Sequence, residues 1–374
     1  MNKRNMRLSF LFTFFMCITS AVQSQNTVPM FRGNQQLTGV SSETIPDELN
    51  FLWRFKTADA IKASPVIQDE TIYIGSYDQN MTAISTRTHR IRWQFKAAGA
   101  IEATALILGN HLFFGADSGH FYAISKKTGT VKWVFESEDR ILGAANWAVH
   151  PTTKETLVLF GSYDAFLYCL KASDGSLVWK YESDSYLNGT PLIDNGKVMM
   201  GGCDGLFHII ALGSGKEKKK IEVGNYIPVS AGFSENTAYF GHVGKKVVAM
   251  DIEKGQQKWS FTSETDAFFS SPAIGKDKIY IGGRDKTMVA LDKQTGSLQW
   301  KFKAKGEIDS SPVLAGDKLI FGSDDGRLYI LNHSKGNLLW SYDIGDTISG
   351  SVGIYNQQIF VGCEDGYLYV FGKK

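Results

Sequence analysis

The sequence predicts an all-β protein, an eight-bladed propeller of four-stranded antiparallel blades, on three observations. A glycine closes an apolar run at Gly75, Gly115, Gly161, Gly201, Gly241, Gly282, Gly322 and Gly362, a spacing of 40 or 41 residues broken once by 46. Self-similarity at that period is the signature of propeller blades. Eighteen residues after the first seven of these glycines stand Trp93, Trp133, Trp179, Lys219, Trp259, Trp300 and Trp340. The eighth such position falls beyond Lys374, and Trp53, forty residues before Trp93, supplies it from the other end of the chain. A strand around 51–56 is therefore expected to complete the last blade and close the ring between the termini.

Each unit reads as four strands. In the unit 308–342, "SSPVLA" begins the first strand, "KLIFGS" alternates as the second, "GRLYILN" is the third and "NLLWSY" the fourth. Asp78, Asp164, Asp204, Asp285, Asp325 and Asp365 each stand three residues after the marker glycine, where a tight hairpin between the second and third strands needs them. Gly129, Gly175, Gly215, Gly255, Gly296 and Gly336 mark the turn before the fourth strand, with His89 as the exception. One such sheet buries too little to stand alone, whereas radial stacking covers both faces. Trp53, Trp93, Trp133, Trp179, Trp259, Trp300 and Trp340 are expected to dock between blades, each burying on the order of 150 to 250 Å².

The first residues predict export. Lys3, Arg4 and Arg7 precede an apolar run from Leu8 to Val22, and Val22-Gln23-Ser24 offers a cleavage site, so residues 1–24 read as a signal peptide. Residues 25–374 then form a single propeller domain. The apolar run is short of the ~20 residues a spanning helix needs, and no membrane span is expected. Met16 stands before Cys17 where lipid attachment requires a small residue, so no lipid anchor is expected. The whole chain carries a formal charge of +2. Loss of the three cations before Ser24 leaves −1, which gives no electrostatic footprint for nucleic acid. Cys169, Cys203 and Cys363 are odd in number and fall on distant parts of the repeat, which predicts three free thiols.

Chemistry is looked for where the repeat places the channel mouth, on the links between blades. These links carry an apolar anchor in every unit: Ile61, Ile101, Ile141, Leu187, Ile227, Phe268, Ile308 and Ile348. The residue after the anchor varies freely: Lys62, Glu102, Leu142, Asn188, Pro228, Phe269, Asp309 and Ser349. Candidate partner-binding residues gather at this mouth. They are Arg140, Tyr186, Tyr226 and Phe269 on links and Tyr77, Tyr163 and Arg284 on the adjacent hairpins; the anchor Phe268 belongs to the same links. Trp147, the one off-register Trp, lies in a third unit six residues longer than its neighbours and is a further candidate. Tyr, Phe and Arg on one face suit recognition of protein or glycan. Glu102, Asn188 and Asp309 have the oxygen chemistry for Ca²⁺ but belong to blades 2, 4 and 7. The seven His show no HExxH or paired metal spacing, and "GSGKEKKK" (213–220) lacks the order of a phosphate loop. No catalytic, cofactor-binding or metal-ligating residue is therefore expected, and no cofactor.

The segments "ALDKQTGSLQW" (290–300), "AISKKTGTVKW" (123–133) and "CLKASDGSLVW" (169–179) resemble the tryptophan-docking motif of the PQQ-type propeller repeat family. "PMFRGNQQLTGVS" (29–41) is similar to the leader of its exported, BamB-like single-domain members. The resemblance covers essentially all of 25–374 and implies an eight-bladed ring. It does not choose a function. Larger members are quinoprotein dehydrogenases, with PQQ over the channel, Ca²⁺, a catalytic Asp and often a disulfide between adjacent cysteines; smaller ones include scaffolds of outer-membrane barrel assembly. This chain has no adjacent cysteine pair. The combined expectation is an exported, monomeric, non-catalytic scaffold with protein partners at the cell envelope, periplasmic or secreted, associated with the outer membrane if at all through a partner. A PQQ- and Ca²⁺-dependent dehydrogenase and a glycan-binding module are the alternatives.

Overall fold

The structure, a computed structural model, describes Pro29–Lys374; the expected signal peptide at 1–24 lies outside the described residues. Eight four-stranded antiparallel blades follow one another in chain order, with Val40–Ser41 of the leader added as a fifth, parallel strand beside the inner strand of blade 7. Blade 1 spans 66–96, blade 2 106–136, blade 3 146–182, blade 4 192–222, blade 5 232–262, blade 6 273–303 and blade 7 313–343. Blade 8 joins Gly353–Tyr355, Gln358–Gly362 and Tyr367–Gly372 to Asn50–Lys56 as its outer strand. The closing pair is antiparallel, with Phe51 opposite Phe371, Trp53 opposite Val370 and Lys56 opposite Tyr367. The ring is thus zipped between the two ends of the chain as the Trp spacing predicts.

The marker glycines recur because a side chain there would collide with the next link. A Cβ at Gly75, Gly115, Gly201, Gly282, Gly322 or Gly362 would lie 2.1–2.4 Å from the Cγ2 of the following Ile anchor. At Gly161 and Gly241 it would meet the Leu187 carbonyl at 2.3 Å and Phe268 Cβ at 2.4 Å. All eight anchors are buried to within 1% of full burial. Each glycine is therefore a socket and each anchor its plug, and the pair locks a link onto the blade before it.

A second lock sits at the opposite end of each blade. The Trp ring of one outer strand lies flat on the glycine turn of the next blade, so that a Cβ at Gly129, Gly175, Gly215, Gly296 or Gly336 would come within 2.5–2.6 Å, or 2.7 Å at Gly215, of the indole. The indole N–H groups of Trp93, Trp133, Trp179, Trp259 and Trp300 each donate to a carbonyl on that neighbour, as Trp93 does to Lys126 at 3.0 Å and Trp300 to His333 at 3.0 Å, while Trp340 packs edge-on to Phe371 of blade 8. Two exceptions keep the same geometry. His89, in the left-handed region at φ 57°, replaces the glycine facing Trp53 and stacks on it at 4.2 Å. Lys219 replaces Trp, and its Nζ donates to the Glu253 carbonyl at 2.7 Å, standing in for the indole N–H.

The hairpin aspartates are also structural. Oδ1 of Asp78, Asp164, Asp204, Asp285, Asp325 and Asp365 accepts from the backbone N–H two residues on, at 2.9–3.0 Å. This is the local bond that fits Asp to a turn.

The leader 29–41 forms a belt across the inner strands at the end of the channel away from the links. Carbonyls of Pro29, Gln35, Gln36, Thr38 and Gly39 accept from the amides of Ile107, Ile193, Phe233, Ile274 and Leu314, in blades 2, 4, 5, 6 and 7. Asn146 of blade 3 donates to the Gln35 carbonyl at 2.9 Å. Arg32, only 5% exposed, pins the belt by donating to the carbonyls of Pro312 and Pro272, both at 2.6 Å. Among the described residues no helix is long and apolar enough to cross a membrane.

Two substitutions test these locks. Gly322→Ala forces a methyl against Ile348 and is expected to cost about 1–3 kcal/mol by overpacking. Lys219→Trp is expected to stabilise by on the order of 1 kcal/mol through added apolar burial. Urea denaturation of each variant against the parent chain measures both.

Candidate functional site

The links converge on the channel end opposite the leader, and their backbone is clamped from both sides. The carbonyl before each anchor accepts from the hairpin of its own blade, as Ala60 does from Tyr77 at 2.9 Å and Arg140 from Tyr163 at 2.9 Å. The anchor amide donates to the hairpin of the blade before, as Ile101 does to Ser76 at 3.1 Å. Just inside lies a belt of hydroxyls three residues after the anchors: Ser64, Thr104, Thr190, Ser230, Ser271, Ser311 and Ser351, with Ala144 as the exception. Backbone amides donate from one blade to the hydroxyl of the next, for example Thr190 to Ser230 at 2.8 Å, Ser271 to Ser311 at 2.9 Å and Ser351 to Ser64 at 3.0 Å. The belt lines a cup of about 190 Å³ whose inner end is bordered by Phe31 of the leader. Its period is present in the sequence, where Ser or Thr stands three residues after seven of the eight anchors.

The variable residues fall into two chemical arcs around this cup. On blades 3 to 5, the Arg140 guanidinium lies 4.5 Å over the Tyr163 ring, and Tyr163 stacks on Tyr186 at 4.9 Å. Asn188 Nδ2 donates to the Tyr163 hydroxyl at 3.2 Å. Tyr186 and Tyr226 are 50% and 59% exposed, more than any other described tyrosine among the large exposed apolar side chains. On blades 6 to 8 the arc is acidic. Glu307, Asp309 and Asp324 surround Arg284, which holds Asp309 through Nε at 3.0 Å and Nη2 at 2.7 Å and lies 3.6 Å over Phe269, and Glu364 carries the negative charge on to blade 8 beside Asp324. The arc ends at blade 1, where Lys62 sits 3.8 Å from Glu364 and 5.0 Å over Tyr77, whose hydroxyl donates to Glu102.

Seven of the eight sequence-predicted candidates are therefore brought to one rim: Tyr77, Arg140, Tyr163, Tyr186, Tyr226, Phe269 and Arg284. Phe268, on the same links, is instead buried as the plug of Gly241. Trp147 stands apart. The insertion lengthens the hairpin between the inner and second strands, which lies at the leader end, and Trp147 packs half-buried on the core while its carbonyl accepts from Gln35 at 2.6 Å. The partners that Arg284, Tyr77 and Lys62 find across blades share one repeat relation, the second residue after a marker glycine with the residue after the next anchor: Tyr77–Glu102, Tyr163–Asn188 and Arg284–Asp309 are each 25 residues apart, and Lys62–Glu364 is the same pair across the closure.

The acidic arc perturbs the titration of Asp324. Asp324 reaches solvent at the rim, yet the wall behind it desolvates the carboxylate and Asp309, Glu307 and Glu364 add like charge, lifting its pKa to about 6. The three described cysteines, Cys169, Cys203 and Cys363, are unpaired, and burial pushes the Cys363 thiol up to about 12 and raises that of Cys169 as well. Neither is a nucleophile at neutral pH.

The fold family raises the question of a quinone with Ca²⁺, and the mouth residues do not fit it. Glu102 is engaged by Tyr77 and Asp309 by Arg284, which leaves Asn188 Oδ1, on a different blade from either, as the one oxygen of the three without a partner, and one oxygen does not make a Ca²⁺ site. Among the described residues no three His, Cys, Asp or Glu side chains come together as a metal site.

The profile of the family described as "Beta-alanine-activating enzyme, beta-propeller" matches residues 82–373. The chain belongs to that propeller family. Its eight closed blades also agree with the PQQ-like repeat read from the docking motif. Solved structures share the fold at low identity. BamB from Moraxella catarrhalis is 19% identical with a TM-score of 0.72, over 87% of this chain and 98% of that one. The computationally designed Ika8 protein is 16% identical with a TM-score of 0.74, over 85% and 98%. A europium-containing methanol dehydrogenase is 12% identical with a TM-score of 0.76, over 92% and 98%. Comparison with curated protein sequences gives no match.

A pH titration checks the acidic arc. The folded pKa of Asp324 is raised above the unfolded value near 3.9, so folding takes up a proton between about pH 4 and 6. Its stabilising contribution is present below pH 4 and is lost as pH rises through 6. Carboxyl NMR is expected to show Asp324 titrating near 6, and Asp309→Asn to move that midpoint down.

Proposed function

We propose that this chain is an exported, monomeric, non-catalytic scaffold whose channel mouth binds protein partners at the cell envelope. The observation that carries the reading is the exposed aromatic arc of Tyr186 and Tyr226 beside the Arg140–Tyr163–Tyr186 stack, set on a clamped backbone. Tyr offers large contact area at low rotamer cost, and Tyr and Arg dominate binding hot spots. The facing acidic arc gives the surface polarity, so a partner presenting acidic groups to Arg140 and basic groups to Glu307 and Asp324 fits one orientation. The likeness to BamB agrees with a scaffold role. The likeness to a methanol dehydrogenase supports the enzyme reading only at the level of fold, and the mouth residues offer no Ca²⁺ cradle.

A photo-crosslinking residue in place of Tyr226 tests the proposal in envelope extracts. One dominant protein adduct is expected, lost in an Arg140→Ala, Tyr186→Ala background and retained with Lys335→Ala on the leader face. Absence of any protein adduct together with glycan-array binding moves the site to a sugar module. PQQ-dependent dye reduction with Ca²⁺ makes it an enzyme.

A further inference from the structure

The leader belt is incomplete, and the gap has the chemistry of a peptide site. The middle residue of each inner strand pairs with the second strand in one register, as Ile107 with Leu112 and Ile193 with Val198. In that register its amide points away from the second strand and toward the axis. Leader carbonyls take this amide in blades 2, 4, 5, 6 and 7, and the Asn146 side chain takes it from Trp147 in blade 3 at 2.8 Å. In blades 8 and 1 the equivalent residues are Ile354, opposite Ile359, and Ile67, opposite Ile72. Among the described residues neither amide meets a leader carbonyl. Both residues line a groove of about 500 Å³, bounded by the belt at Pro29–Asn34 on one side and at Gly39–Glu43 on the other. That volume falls in the range of about 300 to 1,000 Å³ typical of ligand sites.

We propose that this groove seats one extended segment of a partner polypeptide, whose main-chain carbonyls accept from Ile67 and Ile354 and complete the belt. The site continues an interface already built, since leader carbonyls make the same bond on five other blades and Val40–Ser41, where the leader becomes extended, adds a parallel strand to the inner strand of blade 7. Adding a strand to a free edge draws its affinity from main-chain bonds and its selectivity from alternate side chains. Here Val66, Ile67, Val352 and Ile354 form the apolar wall, with Glu43 and Asp69 at the groove's polar margin. At about 3.3 Å per residue, two neighbouring blades need about two or three residues of extended chain. This surface lies at the end of the channel opposite the aromatic arc, so the inference goes beyond the mouth reading and stands separately from it.

Amide hydrogen exchange by NMR on the whole mature chain tests it. The probe is a mixture of capped hexapeptides with Val, Ile or Leu at alternate positions and Thr or Ser between. In the protein alone, Ile67 and Ile354 are expected to exchange faster than Ile107, Ile193 and Leu314, and to slow at least tenfold at saturating peptide. Ile354→Pro, which removes one donor, is expected to weaken binding about tenfold; the exchange measurement on the parent chain stands even where this variant fails to fold. Tyr226→Ala is expected to leave the protection unchanged, which separates failure here from failure at the mouth. Amides indifferent to the peptide overturn the proposal. So do amides already as protected as Ile107 without peptide, an outcome that assigns the groove to the protein's own chain.

Discussion

The socket formed by each marker glycine and the anchor of the following link is the contact on which the rest of the molecule depends. It is steric rather than attractive in origin. An interior at the density of an organic crystal has no room for a methyl placed 2.1–2.4 Å from an Ile Cγ2, so the approach of one blade to the next is set by the absence of a side chain. Because the link is held there by its anchor and by hairpin bonds on both sides, the residue immediately after the anchor is free of structural duty. Eight equivalent positions around the mouth can then carry Lys, Glu, Asn, Phe or Asp without disturbing the ring, and chemistry is separated from folding within a step of one residue.

Closure adds a second constraint. A ring stacked from eight sheets has no favourable end, and leaving the last interface open would expose the faces of blades 8 and 1. Pairing Asn50–Lys56 with Tyr367–Gly372 makes the last blade depend on both ends of the chain, while Trp53 docks on His89 of blade 1 as each other Trp docks on its neighbour. The leader then crosses the channel before reaching that strand. Its carbonyls satisfy inner-strand amides that would otherwise face the axis unpaired, at a net worth of roughly 0.5–1.5 kcal/mol each. The same path that closes the ring therefore also closes one end of the channel and leaves the other as a cup.

The parts legible in the sequence are those where geometry dictates a residue type. Gly75 and its equivalents, the docking Trp and the hairpin Asp each answer a local demand that few residues meet, and repetition makes the demand visible. Lys219 and His89 break the pattern yet preserve its contacts, which is why unit counting survives them. The candidate rim was legible as a location because link and hairpin residues must meet at one end. Its organisation was not. The hold of Arg284 on Asp309 and of Tyr77 on Glu102 joins neighbouring blades at one constant separation of 25 residues, but the side chains at both positions vary freely, so their pairing shows only once the fold sets the two positions face to face. Trp147 was conspicuous for being off register, but the topology places its hairpin at the leader end, so conspicuousness and location pointed in different directions.

A rim with two arcs differs in kind from a uniform one. Scattered charges around a ring present nearly the same field in eight orientations, whereas an aromatic and cationic arc on blades 3 to 5 facing carboxylates on blades 7 and 8 removes that degeneracy. A partner bound at the mouth is then oriented about the channel axis, and its other surfaces are aimed in fixed directions. The raised pKa of Asp324 follows from the same segregation, since carboxylates gathered on one arc share the cost of crowding while Arg284 answers only part of it. Blades that are interchangeable as supports thus become distinguishable as addresses, and it is the side chain one residue beyond each socket that makes them so.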